Sequence, residues 1–291
     1  PKDYQDQPGK PRVLYMHGGA FAWYSPESYR PFTSRLCEVL QMPVFVCDYR
    51  LVPEHKFPAA VEDGVAACHY VATHNLKGER AEGSPFYLIG DSAGGGLVYQ
   101  SIVKLNDTEK GKGVLKGILG IVTLSPWTDF TASLESFKTN VWNPKTLKGD
   151  VQFSQGGKHE TDRKSTIRMA HTYMGGECAI DVLKKHSPLF TKDVSFFPPN
   201  LIMVGEEELM KDESVHMFKR LKKDGVPAEI RVFPGMWHVW MWYTEGCGGE
   251  NAKPCIEAIS GFLCVAAFCK VKNNGRDSKF ISKYKEFKKQ S

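Results

Sequence analysis

The sequence predicts an α/β architecture, a mainly parallel sheet with helices on both faces, in a single domain spanning residues 1–291. Three observations carry that expectation. Short apolar runs recur at 13–16, 43–47, 86–89, 117–124, 201–204 and 229–233, and each reads as a buried strand. Segments with helical apolar spacing lie between most of them, and this alternation implies parallel pairing. A chain of 291 residues is also long enough to bury a full core.

The elements follow in order. Strand 13–16 runs into His17-Gly18-Gly19-Ala20-Phe21-Ala22-Trp23. Small residues directly after a strand let backbone N–H groups point into a cavity. A helix over 28–40 has an apolar stripe at Phe32, Leu36, Val39 and Leu40. Strand 43–47 leads to Asp48-Tyr49-Arg50-Leu51-Val52-Pro53-Glu54, and Pro58 marks the start of a helix over 59–73. Strand 86–89 enters Gly90-Asp91-Ser92-Ala93-Gly94-Gly95-Gly96. Leu97, Val98, Ile102, Val103 and Leu105 then predict a helix beyond Gly96. Strand 117–124 is followed by Ser125-Pro126-Trp127-Thr128-Asp129.

From 133 to 187 the pattern loosens. Residues 149–162 are polar and 166–173 read as a short helix. The stretch is too long for a simple loop, so a helical cap inserted over the active edge of the sheet is expected. Strand 201–204 ends in Gly205-Glu206-Glu207-Glu208, and a helix follows to Asp224. Strand 229–233 leads to Pro234-Gly235-Met236-Trp237-His238, and a final helix is expected over 255–269. Residues 279–289 have apolar positions at helical spacing and lysines elsewhere. They read as a helix packed back on the body with a solvated lysine face, with peripheral contact to an anionic membrane as the other reading.

Several classes are excluded. The net charge of +5 is mild and its basic residues are scattered except at the C-terminal end, which argues against nucleic acid. No apolar run approaches the length of a membrane span. A phosphate loop needs Lys-Ser or Lys-Thr after its glycines, and the spacing does not match a dinucleotide fingerprint. The eight cysteines form no Cys-x-x-Cys pair with a matching partner, so zinc is not expected. Cys47, Cys68 and Cys264 sit in apolar patterns as small hydrophobes. Cys247 and Cys255 flank a Gly-Gly turn and could pair in an oxidising compartment; reduced thiols and a cytoplasmic location are the preferred reading.

The chemistry centres on Gly90-Asp91-Ser92-Ala93-Gly94. A G-x-S-x-G between a strand and a helix is a nucleophile elbow, whose tight turn strains the serine and lifts its hydroxyl above the sheet. A serine needs a base to take its proton and a carboxylate to orient that base. His238 follows the last strand in a Pro-Gly turn and can reach across the strand ends. His69 and His216 lie within helices, and the His17 ring is better placed to brace backbone. The acid should follow the preceding strand, where Glu206, Glu207 and Glu208 all stand. His17, Ser92 and Asp129 follow strand ends, where ligand chemistry gathers in parallel sheets.

These pieces together resemble the hormone-sensitive-lipase-like family of α/β-hydrolase esterases, which includes carboxylesterases and arylacetamide-deacetylase-like enzymes. They are His17-Gly18-Gly19-Ala20, Asp48-Tyr49-Arg50-Leu51 with Pro53-Glu54, Gly90-Asp91-Ser92-Ala93-Gly94-Gly95, Ser125-Pro126-Trp127-Thr128-Asp129, Ser187-Pro188-Leu189, Gly205-Glu206-Glu207-Glu208 and His238. The resemblance implies an α/β-hydrolase fold and cofactor-free hydrolysis of small carboxylic esters with short to medium acyl chains. It implies Ser92 as nucleophile, His238 as base and Glu208 as acid, at a position where the family usually has aspartate. It implies an oxyanion hole from the backbone N–H groups of Gly18 or Gly19, Ala20 and Ala93. Ala20 stands where a third glycine is common. The family's first strands and N-terminal cap elements have no counterpart in the short stretch before residue 12 and are expected to be missing from this sequence. The alternatives are a catalytically silent receptor on the same fold, which the presence of His238 disfavours, and an amidase or formamidase using the same machinery. The oligomeric state is left open.

Overall fold

A computed structural model describes residues 9–81, 83–152, 159–243 and 249–273. Six strands build one sheet: β1 (Arg12–Met16), β2 (Val44–Cys47), β3 (Phe86–Asp91), β4 (Ile118–Leu124), β5 (Asn200–Gly205) and β6 (Ala228–Phe233). Their spatial order is β2-β1-β3-β4-β5-β6 and every pairing is parallel. All six correspond to the apolar runs of the sequence. The helices are α1 (Pro26–Leu40), α2 (Ala59–Thr73), α3 (Ser92–Leu105), α4 (Glu109–Gly117), α5 (Ser136–Thr139), α6 (His159–Met174), α7 (Ile180–His186), α8 (Lys211–Lys223) and α9 (Gly249–Asn273).

Alternation along each strand divides the core. In β1, Val13 and Tyr15 face one cluster with residues of α1 and α9, while Leu14 and Met16 face another with residues of α2, α3 and α8. Both faces are covered, which is why the strands read as nearly continuous apolar runs. The chain leaves β1 for β2 at the edge, then returns to place β3 on the other side of β1. This reversal opens a crevice at the carboxyl ends of β1 and β3, where the His17 loop and the Ser92 turn emerge side by side.

Three elements differ from the sequence expectation. Helix α3 begins at Ser92 itself, so Gly94, Gly95 and Gly96 are helical. Glycine is a poor helix former, but these positions are chosen for close approach. Helix α4 was not expected: its glycines hide it, and Thr108 caps it by accepting the Gly111 N–H at 3.0 Å. Between β4 and β5, α5, α6 and α7 replace the single short helix anticipated there. Cys47 and Cys68 are buried as expected, whereas Cys264 is exposed. Cys247 and the 279–289 segment lie outside the described residues. Among the described residues no helix is long and apolar enough to cross a membrane.

Candidate active site

Ser92 is the first residue of α3 and has φ +50°, a left-handed conformation that costs about 1–3 kcal/mol in a non-glycine residue. The close packing of α3 on β1 holds it there. A Cβ on Gly94 would lie 2.1 Å from the Met16 carbonyl oxygen and 2.3 Å from that of His17. Both obstacles are backbone, so the contact cannot relax by a rotamer change. Gly94→Ala is expected to destabilise the fold by about 3 kcal/mol, read as a lower urea midpoint. An unchanged midpoint would mean that the turn does not depend on this approach.

The His238 loop comes from β6 and reaches over β5 and β4. His238 Nε2 lies 2.8 Å from Ser92 Oγ, and His238 Nδ1 lies 3.1 Å from Glu208 Oε2. His238 is 2% exposed and Glu208 0%. Glu208 Oε1 accepts the Ser125 hydroxyl at 2.6 Å and the Gly205 N–H at 2.5 Å. The other two glutamates face elsewhere: Glu207 accepts the Gly149 N–H at 2.8 Å, and exposed Glu206 accepts the Gly235 N–H at 3.3 Å. Ser125 and Val239 also have positive φ, +49° and +52°, and the Val239 N–H donates to Ser125 Oγ at 3.2 Å. Strained backbone thus surrounds the Ser92–His238–Glu208 chain on three loops.

Burial acts to lower the His238 pKa, but the carboxylates of Glu208, Asp150 and Asp91 outweigh it, and the net shift is upward. Asp91, next to the serine, is buried, and this pushes its carboxyl up to about 6 against the pull of three donated hydrogen bonds. Those donors are the hydroxyls of Tyr15 and Tyr29, both at 2.7 Å, and the Gly18 N–H at 2.9 Å.

That last bond corrects one expectation. The Gly18 N–H is already directed at Asp91 and the Tyr29 oxygen, so it is removed from the set of oxyanion donors. The N–H groups of Gly19 and Ala20 carry no hydrogen bond among the described residues. Gly19 has φ +110° and Ala20 φ +52°, a turn that presents their backbone to the cavity holding Ser92. Ala93 lies in the first turn of α3, where N–H groups have no partner within the helix. His17 braces this loop as expected, with Nδ1 2.7 Å from the Gly18 carbonyl oxygen and its ring stacked on Tyr49 at 4.4 Å. Asp129 takes no part in the site. Its carboxylate accepts N–H and hydroxyl groups of Thr131 and Ser133.

The cavity over Ser92 has a volume of about 230 Å³. Its lining includes the aromatic side chains of Trp23, Tyr24, Tyr29 and Trp242, together with Gln152, Ser165 and Met169. Among the described residues no cluster of histidine, cysteine and carboxylate side chains could hold a metal ion. Sequence reasoning missed Asp150, Tyr15, Tyr29 and the bonding role of Ser125. Ser125 could have been found, because it opens the Ser-Pro-Trp-Thr-Asp segment directly after a strand. Asp150 gave no signal, being one polar residue in a polar stretch.

Residues 13–242 match the family profile of the alpha/beta hydrolase fold. The chain belongs to that family. It is 32% identical to an acetyl-hydrolase from Streptomyces hygroscopicus over 254 residues, 87% of this chain and 75% of that protein. It is 25% identical to an esterase from Acinetobacter venetianus over 255 residues, 86% of this chain and 73% of that one. Its fold is similar to the crystal structure of a hormone-sensitive lipase from a metagenome library, with a TM-score of 0.73 and 29% identity over 89% of this chain and 79% of that one. The hormone-sensitive-lipase-like resemblance seen in the motifs therefore extends over most of the chain.

Proposed function

We propose that this protein is a serine esterase. It hydrolyses carboxylic esters through an acyl-enzyme intermediate, with Ser92 as nucleophile, His238 as general base and Glu208 as the acid that orients it. The observation that carries this reading is the continuous contact from Ser92 Oγ to His238 Nε2 at 2.8 Å and from His238 Nδ1 to Glu208 at 3.1 Å. Membership in a hydrolase family whose relatives are named esterase and acetyl-hydrolase supports it.

In the first half-reaction Nε2 takes the Ser92 proton as Oγ attacks the ester carbonyl carbon. The N–H groups of Gly19, Ala20 and Ala93 stabilise the oxyanion, each donor contributing about 10²–10³ in rate. Ala93 adds the positive end of α3. The imidazolium then protonates the leaving alcohol, and the carbonyl re-forms as the serine ester. In the second half-reaction His238 deprotonates water, which attacks that ester and releases the acid and free Ser92. Glu208 keeps the proton on Nδ1, so that Nε2 is free to accept.

The cavity of about 230 Å³ falls below the range of roughly 300–1,000 Å³ seen for drug-sized ligands. Short to medium acyl chains are the proposed substrates. Residues 133–187 act as the cap: Gln152, Ser165 and Met169 come from this segment and line the cavity. The test combines a fluorophosphonate probe with a series of p-nitrophenyl esters of increasing acyl length. Covalent labelling at Ser92 and a fall in kcat/KM beyond medium chains are expected. No labelling and no turnover would sink the reading in favour of a receptor on this fold.

A further inference from the structure

The acid and the base stand on different loops, and a third segment of chain ties those loops together. We propose that Asp150 is a positioning residue of this site: its two carboxylate oxygens hold the acid turn and the base loop in register, and its charge supports the imidazolium that forms on His238 during the reaction. The proposal rests on the triad reading above.

Asp150 is 0% exposed. Its Oδ2 accepts the Leu209 N–H at 3.1 Å, one residue after Glu208, and its Oδ1 accepts the N–H of His238 itself at 3.3 Å. The segment around it grips the acid turn at further points. Asn140 Nδ2 donates to the carbonyl oxygens of Glu206 and Glu208, both at 2.8 Å, and the Gly149 N–H donates to Glu207 at 2.8 Å. The Asp150 N–H donates in turn to the Asn140 carbonyl oxygen at 2.9 Å.

Two acceptor atoms aimed at two loops explain why a carboxylate stands here. An amide offers one acceptor oxygen and presents donors on its other arm, which would face an N–H. Burying a carboxylate carries a desolvation cost, so its charge must be matched within the fold. Two donated N–H bonds supply part of that match. The histidine adds to it whenever it is protonated, which happens in each half-reaction. The charged groups acting on His238 include Glu208 on the acid turn, Asp150 on this segment and Asp91 at the end of β3.

The test is the pH profile of kcat/KM for p-nitrophenyl acetate in wild type, D150N and D150E, with rates expressed per site titrated by the fluorophosphonate. For D150N, kcat is expected to fall about 10- to 100-fold with KM within about two-fold, because reacting groups are misplaced while the cavity stays intact. The base must be neutral to act, so activity rises with pH as His238 loses its proton. Removing a neighbouring negative charge lets that proton leave earlier, and the acid limb should move to lower pH by about half a unit or more. D150E keeps the charge and should hold the acid limb within about 0.2 unit even where kcat falls. If D150N does not fold, D150S is measured instead, since its hydroxyl still accepts one N–H. A D150N enzyme with wild-type kcat and an unmoved acid limb overturns the proposal. So does an equal displacement of the limb in D150E. Absence of labelling and turnover in the wild type is a different outcome, and it removes the triad reading itself.

Discussion

Ser92→Ala is expected to lower kcat on p-nitrophenyl esters by about 10⁵- to 10⁶-fold. The residual rate, about 10³–10⁴ above water, would come from binding and oxyanion contacts that survive the change. The fold should persist. The left-handed conformation at φ +50° is imposed by the packing of α3 on β1, and alanine meets much the same strain there as serine. The main bond lost is the one from Ser92 Oγ to His238. A thermal midpoint within about 3 °C of wild type is therefore expected. Turnover within ten-fold of wild type would place the nucleophile elsewhere and remove the mechanism.

Glu208→Gln should cost about 10³–10⁴ in kcat, while Glu207→Gln stays within about three-fold. The reason lies in what converges on each side chain. Three donors point at Glu208: His238 Nδ1–H, the Ser125 hydroxyl and the Gly205 N–H. A carboxylate accepts all three, but a glutamine must turn its NH₂ toward one side of that set. If it faces His238, the imidazole is driven to the wrong tautomer and Nε2 can no longer take the serine proton. If it faces Gly205 and Ser125, a buried donor opposes another donor, at about 1–3 kcal/mol. Kinetics and urea unfolding read the two losses separately. Among the described residues the Glu207 side chain meets the Gly149 N–H alone, which a glutamine oxygen accepts equally well. The reverse ranking in kcat would move the acid by one residue.

The strands were legible because each is buried on both faces, which leaves an apolar run that periodicity detects. The elbow was legible because its glycines stand at fixed spacing around the serine: a Cβ at Gly90 would meet the Gly94 carbonyl and one at Gly94 the carbonyls of Met16 and His17. The N-terminal part of α3 was not, because its glycines argue against helix locally and are accepted only for what they touch, Gly94 at the end of β1 and Gly95 and Gly96 on Pro126 and Trp127 after β4. Helix α4 was hidden in the same way, and became visible only through the Thr108 cap and the burial of Val114. The stretch after β1 was read correctly as a loop, but the engagement of each N–H was not. Gly18 looked equivalent to Gly19 until Asp91 and Tyr29 were found bonded to it.

By itself the sequence determined the six parallel strands, the serine turn, the histidine after the last strand and the three glutamates after the strand before it. Those features are written in contiguous residues, as apolar runs, glycine spacing and the order of strand ends. The three-dimensional fold decided that Glu208 faces the ring, that Gly18 is occupied, and that Asp150 joins the acid turn to the base loop. These are matters of where loops from β4, β5 and β6 converge, and a hydrogen bond depends on angles and distances between segments far apart in the chain.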